Sequence, residues 1–184
     1  MNNKFTILGC GSSLGSPWIT NYWGNCNKNN SKNLRTRCCA HFQYKSISAL
    51  IDTSPDLKTQ FLDNNITNVD AVIYTHEHAD QTSGIFELRP FFWKNKKKID
   101  IYGSKKTIKD LKIKYDFCFK SKHGYIPILK EHVIKDTFII KKNNIKIEIN
   151  SFEVQHGHIK ATAYVFENIA YLSDCSFIPK KSRK

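Results

Sequence analysis

The reading of the fold turns on Tyr74-Thr75-His76-Glu77-His78-Ala79-Asp80-Gln81-Thr82-Ser83-Gly84. Two histidines and an aspartate stand at alternate positions, directly after the apolar run Val69-Asp70-Ala71-Val72-Ile73-Tyr74. That run has the length and β-branched content of a buried strand. A strand that stops and opens into a metal-binding loop accounts for this order. Imidazole nitrogen suits zinc and similar borderline ions, and a carboxylate adds a harder oxygen ligand. Alternate spacing lets an irregular loop turn all three side chains towards one point. An isolated His-X-His is usually a surface accident; the aspartate and the preceding strand make this one a metal-loop candidate.

Composition sets the frame around that loop. The 184 residues suffice for one domain with a real core, and a 40% hydrophobic, 12% aromatic chain has the make-up of a globular protein rather than a disordered one. No apolar run approaches membrane-spanning length, and Met1 to Leu8 contains no leader-like apolar segment, so the expectation is a cytoplasmic protein with no membrane partner. The six cysteines, Cys10, Cys26, Cys38, Cys39, Cys118 and Cys175, form no Cys-X-X-Cys pair and read mostly as small buried hydrophobes. The formal net charge of +13 favours anionic partners, although Lys94-Asn95-Lys96-Lys97-Lys98 and the terminal Lys180-Lys181-Ser182-Arg183-Lys184 also read as solvated loop and tail.

Taken in order, Lys4 to Cys10 reads as a strand ending in the glycine-bearing loop Gly9-Cys10-Gly11-Ser12-Ser13-Leu14-Gly15. The spacing is not that of a dinucleotide-binding fingerprint. Residues 16–37 form a long polar connection, in which Arg35 and Arg37 could hold a phosphate or serve structure. Cys38 to Tyr44 and Ile47 to Asp52 read as a hairpin. Ser54 and Pro55 suggest the start of a helix reaching about Asn64, with Leu57, Phe61 and Leu62 on one face. A short helical or irregular segment follows Gly84 and ends near Pro90. Ile99 to Tyr102 reads as a strand and Thr107 to Phe117 as a helix. Little pattern is visible until Phe138. Asn143-Asn144 is a turn before the alternating strand Ile145-Lys146-Ile147-Glu148-Ile149, which continues to His156. Ala161 to Phe166 and Ile169 to Leu172 form a hairpin ending at Ser173-Asp174. Metal-ligand residue types thus fall at three strand ends: His76/His78/Asp80, His156 and Asp174. Such placement suits a site along one edge of a β-sandwich.

These residues resemble the metallo-β-lactamase superfamily, and the likeness covers nearly the whole chain. Its parts are Thr75-His76-Glu77-His78-Ala79-Asp80, His156-Gly157 and Tyr171-Leu172-Ser173-Asp174. The flanks Leu8-Gly9-Cys10-Gly11-Ser12-Ser13-Leu14-Gly15, Leu50-Ile51-Asp52-Thr53-Ser54-Pro55-Asp56-Leu57 and Gly84-Ile85-Phe86-Glu87-Leu88-Arg89-Pro90 resemble the branch that contains phosphoribosyl 1,2-cyclic phosphate phosphodiesterase. The resemblance implies an α+β protein with an αββα sandwich and a metal pair at its edge. It implies a metal set of His76, His78, Asp80, His156 and Asp174, in which His76, His78 and His156 hold the first ion, Asp80 the second, and Asp174 bridges. It further implies one or two ions, Zn2+ or Mn2+, a metal-bound hydroxide attacking phosphorus in a small cyclic or linear phosphate ester, and a catalytic role for Asp80 in handling protons.

The sequence departs from that pattern in three places. Gln81 stands where the superfamily usually has a further histidine for the second ion, so that site is expected to be weakened. Cys26 is alone in its loop, so no cysteine-rich structural zinc site is expected there. The chain runs ten residues past Asp174, without the family's late histidines. Residues 1–184 are therefore expected to form a single metallo-β-lactamase-like domain incomplete at its C-terminus, lacking the last strands and helix, with an exposed sheet edge that could support an oligomer. Two alternatives to the small-molecule phosphodiesterase stand beside it: an RNA-processing nuclease resembling tRNA 3′-end maturases, which the basic charge permits, and a non-catalytic remnant, which Gln81 and the short C-terminus suggest.

Overall fold

The strands that are buried throughout and the long strand that alternates most cleanly fall in two different sheets. The computed structural model describes residues 3–121 and 124–183. Its first sheet has the spatial order β1 (Lys4–Gly9), β2 (Cys39–Tyr44), β3 (Ile47–Ile51), β4 (Ala71–Ile73), β5 (Ile99–Gly103) and β6 (Leu129–Val133). β1 to β3 pair antiparallel, and β3 to β6 run parallel. Every residue of β3 and β4 is buried, as strands covered on both faces must be. The second sheet is antiparallel, in the order β10 (Ile169–Tyr171), β9 (Ile159–Phe166), β8 (Ile145–His156), β7 (Thr137–Lys142). In β8, Ile147 and Ile149 are buried while Lys146, Glu148 and Asn150 face solvent.

The sheets pack face to face. Ala40, Phe42, Ile51 and Ile73 of the first meet Ile147, Ile149, Tyr164 and Phe166 of the second, and the Phe42 and Phe166 rings stack at 4.5 Å. Each such side chain contributes about 1.5–3 kcal/mol of burial. On the far face of the first sheet, Leu50, Val72 and Ile101 lie under Leu57 and Phe61 of α1 (Leu57–Asp63) and under Ile108 and Leu111 of α4 (Lys105–Lys114). Between these helices come α2 (Ala79–Thr82) and α3 (Arg89–Asn95), and α5 (Asp116–Phe119) follows. The outer face of the second sheet meets the segment after β10. There Ile178 packs against Val154, Ala161 and Ala163, and the Ser182 hydroxyl donates to the Glu153 carbonyl at 3.0 Å. No described helix is long and apolar enough to cross a membrane.

Several expectations need correction. The first helix starts at Leu57, because Pro55 and Asp56 form a turn in which the Ser54 hydroxyl accepts from the Asp56 N–H; Ser54 is not its cap residue. Leu62 is 69% exposed and does not share the buried face of Leu57 and Phe61. Pro90 opens α3 rather than ending a segment, since proline's missing N–H is harmless in a first turn. β6 is hidden in the sequence because Lys130, Glu131 and His132 break its apolar pattern; Glu131 is partnered laterally by Lys112 and His132 by Asp100. Only Cys39 and Cys118 are buried, while Cys10, Cys26 and Cys175 are exposed.

This topology brings the C-terminal ends of the parallel strands β3 and β4 to one edge of the sandwich, the position where open α/β sheets collect ligands. Gly84 keeps the loop there tight. A Cβ on it would stand 2.1 Å from the Ser54 carbonyl oxygen, and its N–H bonds the Thr53 carbonyl at 2.9 Å.

Candidate metal centre

β4 ends at Ile73, and the chain then passes through Tyr74 and Thr75 into the histidine loop and the short α2. The second sheet clamps this loop from the side. The Tyr164 hydroxyl donates to the Tyr74 carbonyl at 2.6 Å, and the Thr162 N–H donates to the Thr75 carbonyl at 2.9 Å. Alternation then divides the side chains. Glu77 turns to the opposite side, where Lys106 of α4 pairs with its carboxylate and Lys114 donates to its carbonyl at 2.6 Å. His76 and His78 turn inward, and His156 arrives from the end of β8 to meet them.

The ligand-type nitrogens of His76, His78 and His156 lie within 4.8 Å of one another. The ring centroids are 4.6 Å apart for His76 and His78 and 5.1 Å for each of the other pairs. His78 Nδ1 and His156 Nε2 approach to 3.3 Å. Tetrahedral ligation with metal–nitrogen distances of about 2.0–2.1 Å places ligand nitrogens roughly 3.3 Å apart, which is the His78–His156 approach, and His76 lies within 4.8 Å of that pair. The sharper test is His76. It is wholly buried, and its Nε2 has no hydrogen-bond partner. Leaving a buried nitrogen unpaired costs about 1–3 kcal/mol, a cost that an ion would relieve.

The other nitrogen of His76 explains why Nε2 is free. The Thr75 hydroxyl donates to Asp52 Oδ2 at 2.8 Å, so it accepts from His76 Nδ1–H at 3.0 Å. This fixes the tautomer with the Nε2 lone pair pointing into the cluster. Burial first, and then the His78 ring, push the His76 pKa down to about 4, so the imidazole is neutral and able to ligate near pH 7. Asp52 anchors the relay. It is wholly buried at the end of β3, takes a left-handed φ of 64°, and also accepts the Thr75 N–H at 2.8 Å. Burial pushes its carboxyl pKa up, against the two Thr75 hydrogen bonds. In sequence Asp52 is a strand end and Thr75 the first residue of the histidine motif; the backbone placement shows what they support.

The carboxylates occupy the other side. Asp174, just past β10, puts Oδ2 3.5 Å from His76 Nε2 and 3.9 Å from His156 Nε2. Asp80 stands apart from the histidine group. Gln81, fully buried, donates its amide Nε2 to Asp80 Oδ2 at 3.2 Å and to Asp174 Oδ2 at 3.4 Å. All five expected ligand residues therefore lie in one neighbourhood, with four converging and Asp80 joined through Gln81.

Positive charge borders the loop. A groove of about 350 Å3 beside Thr162 is lined by Lys105, Lys106, Lys135 and Lys160, with Asp136 and Glu153 among its walls. Arg37, a phosphate-holding candidate in the sequence, is occupied instead by Asp56, through its guanidinium at 2.7 Å and its N–H at 2.9 Å. The Arg35 guanidinium donates to Cys10 Sγ at 3.1 Å. Cys38 lies outside the histidine group, and burial, followed by Asp174, pushes its thiol up to about 11.

Comparison with known proteins agrees with this arrangement. Residues 48–184 match the family model described as the beta-lactamase superfamily domain. A curated octanoyltransferase of Porphyromonas gingivalis is 26% identical over 170 residues, covering 91% of this chain and 34% of that protein. The chain thus spans about a third of the length of that relative. Among solved structures, a diphosphatase of the PhnP family superposes with a TM-score of 0.82 at 29% identity, covering 99% of this chain and 68% of the other. Zn2+-bound PqqB from Methylobacterium extorquens (TM-score 0.71, 15% identity, 99% and 68% covered) and the short form of human tRNase Z (0.66, 16%, 98% and 72%) share the fold.

Proposed function

The chain belongs to the beta-lactamase superfamily, and from that premise we propose that it is a metal-dependent hydrolase acting on a small phosphodiester. The observation that carries the reading is the buried, unpartnered His76 Nε2 facing His78, His156 and Asp174. These four side chains would hold a divalent ion, zinc or manganese. When bound, such an ion lowers the pKa of water and withdraws charge from a phosphoryl oxygen.

The protein's own groups prepare that chemistry. Asp52 and Thr75 hold His76 in the ligating tautomer. Asp80, tethered by the Gln81 amide, offers a carboxylate oxygen that can take or return a proton at the leaving oxygen of the ester. In the groove beside Thr162, Lys105 and Lys135 would attract an anionic substrate to the same edge, while Lys106 and Lys160 are paired with Glu77 and Glu153. The likeness to a PhnP-family diphosphatase at 29% identity supports phosphorus, rather than carbon, as the centre attacked.

The test is hydrolysis of bis(p-nitrophenyl) phosphate and of a cyclic ribose phosphate by the full chain loaded with Zn2+ or Mn2+. Turnover abolished by a chelator and restored by the ion is expected. A folded, metal-loaded chain inert to both would contradict the reading. Salt-sensitive RNA binding with cleavage and no turnover of the small esters would move the substrate to nucleic acid.

A further inference from the structure

The carboxylate side of the site holds an arrangement that bears on how many ions the centre takes. Asp80 and Asp174 face the same point, and two converging carboxylates ordinarily call for a cation between them. Here the group between them is neutral. The Gln81 amide directs Nε2 at Asp80 Oδ2 (3.2 Å) and at Asp174 Oδ2 (3.4 Å), which uses both of its hydrogens. Its Oε1 is buried without a partner. The orientation is electrostatically required, because turning the amide over would press Oε1 against two acids. The backbone gives the residue no freedom to withdraw: the Gln81 N–H bonds the His78 carbonyl at 3.1 Å, and its carbonyl accepts the Thr53 N–H at 2.7 Å.

We infer that Gln81 is a neutral cross-tie that takes the place of a second cation, making this a one-ion centre held by His76, His78, His156 and Asp174. Two features support the count. The three imidazoles form one group, Asp174 Oδ2 lies 3.5 Å from His76 Nε2 and 3.9 Å from His156 Nε2, and Asp80 is joined to them through the Gln81 amide. One divalent ion also balances the two carboxylates Asp80 and Asp174 that the Gln81 amide ties together. Gln81 is on this account a positioning residue: it keeps Asp80 aimed at the substrate side without metal ligation. The inference rests on the metal-centre reading given above, and the experiment separates the two.

The full chain is stripped with chelator, reloaded with Co2+ or Zn2+, passed through a desalting column and assayed for bound metal per chain by native mass spectrometry, alongside the Co2+ visible spectrum. One tight equivalent is expected, with any second binding roughly 100-fold weaker. Gln81→His is expected to bring a second tight equivalent and a changed Co2+ spectrum. Gln81→Glu, nearly isosteric, serves if the histidine variant does not fold, and is also expected to tighten the second equivalent. Two tight equivalents in the unaltered chain would overturn the inference while leaving the metal centre standing. So would folded Gln81 variants that stay at one. No tight ion in the unaltered chain would overturn the metal centre and this inference together.

Discussion

The two sides of the site are built on opposite principles. On the histidine side, three rings from two different sheets converge, and the best-buried nitrogen, His76 Nε2, is left unpaired. On the carboxylate side, the acids Asp80 and Asp174 are already satisfied by an amide. A buried polar atom without a partner is a standing cost, so the first side is incomplete as a piece of protein and complete only with a ligand. On the second side the acids are already tied by an amide, and the atom left unpaired is the Gln81 Oε1 rather than a ligand-type oxygen. Residue types alone would have ranked both as metal-binding; hydrogen-bond bookkeeping separates them.

That contrast can be broken at its support. Thr75→Val keeps the side-chain shape but removes the hydroxyl joining Asp52 to His76 Nδ1. With the tautomer no longer fixed, metal affinity is expected to fall about 10–100-fold, as for other groups that orient a ligating histidine. Competition against a chromophoric chelator measures it. Unchanged affinity would mean that the relay is ornamental. The same variant leaves the wholly buried Asp52 with only the Thr75 N–H, and a loss of about 1–3 kcal/mol in urea unfolding is expected.

A smaller effect sharpens the comparison through pH. His41, on the sheet face remote from the cluster, is pushed down to about 4 by burial and then by Lys4, and its Nε2 bonds the Ser48 hydroxyl at 2.8 Å. In the unfolded chain a histidine titrates near 6.5. The folded state therefore binds fewer protons between the two values. The stability from its neutral form is fully present above pH 6.5 and is lost as pH falls towards 4, at no more than roughly 1.4 kcal/mol per unit. His76 in the metal-free chain adds a parallel term. Urea unfolding of metal-free protein from pH 7 to 5 is expected to show a falling midpoint, with a shallower fall in His41→Gln. An equal slope in that variant would assign the effect elsewhere.

How much of this was legible follows from the range over which each feature acts. His76, His78 and Asp80 were readable because alternation and a preceding apolar strand are local signals. The long β8 and the β9–β10 hairpin were readable because half-buried strands alternate, which also placed His156 and Asp174 at strand ends. Residues whose roles depend on distant partners were hidden. Nothing near Gln81 in sequence says that its amide will reach an acid at position 174. Nothing near Asp52 announces a left-handed backbone or a hydrogen bond to Thr75. β6 was missed for the same reason: its polar residues find partners on α4 and β5 rather than in their own pattern.

The central claim is that the histidine side, and not the acids alone, holds the ion. Equilibrium dialysis with Zn2+ on the unaltered chain, His78→Ala and Asp80→Ala tests it most directly. The account predicts one tight equivalent in the unaltered chain and in Asp80→Ala, and none in a folded His78→Ala protein. Equal binding by His78→Ala and the unaltered chain, or loss of the ion in Asp80→Ala alone, would contradict it.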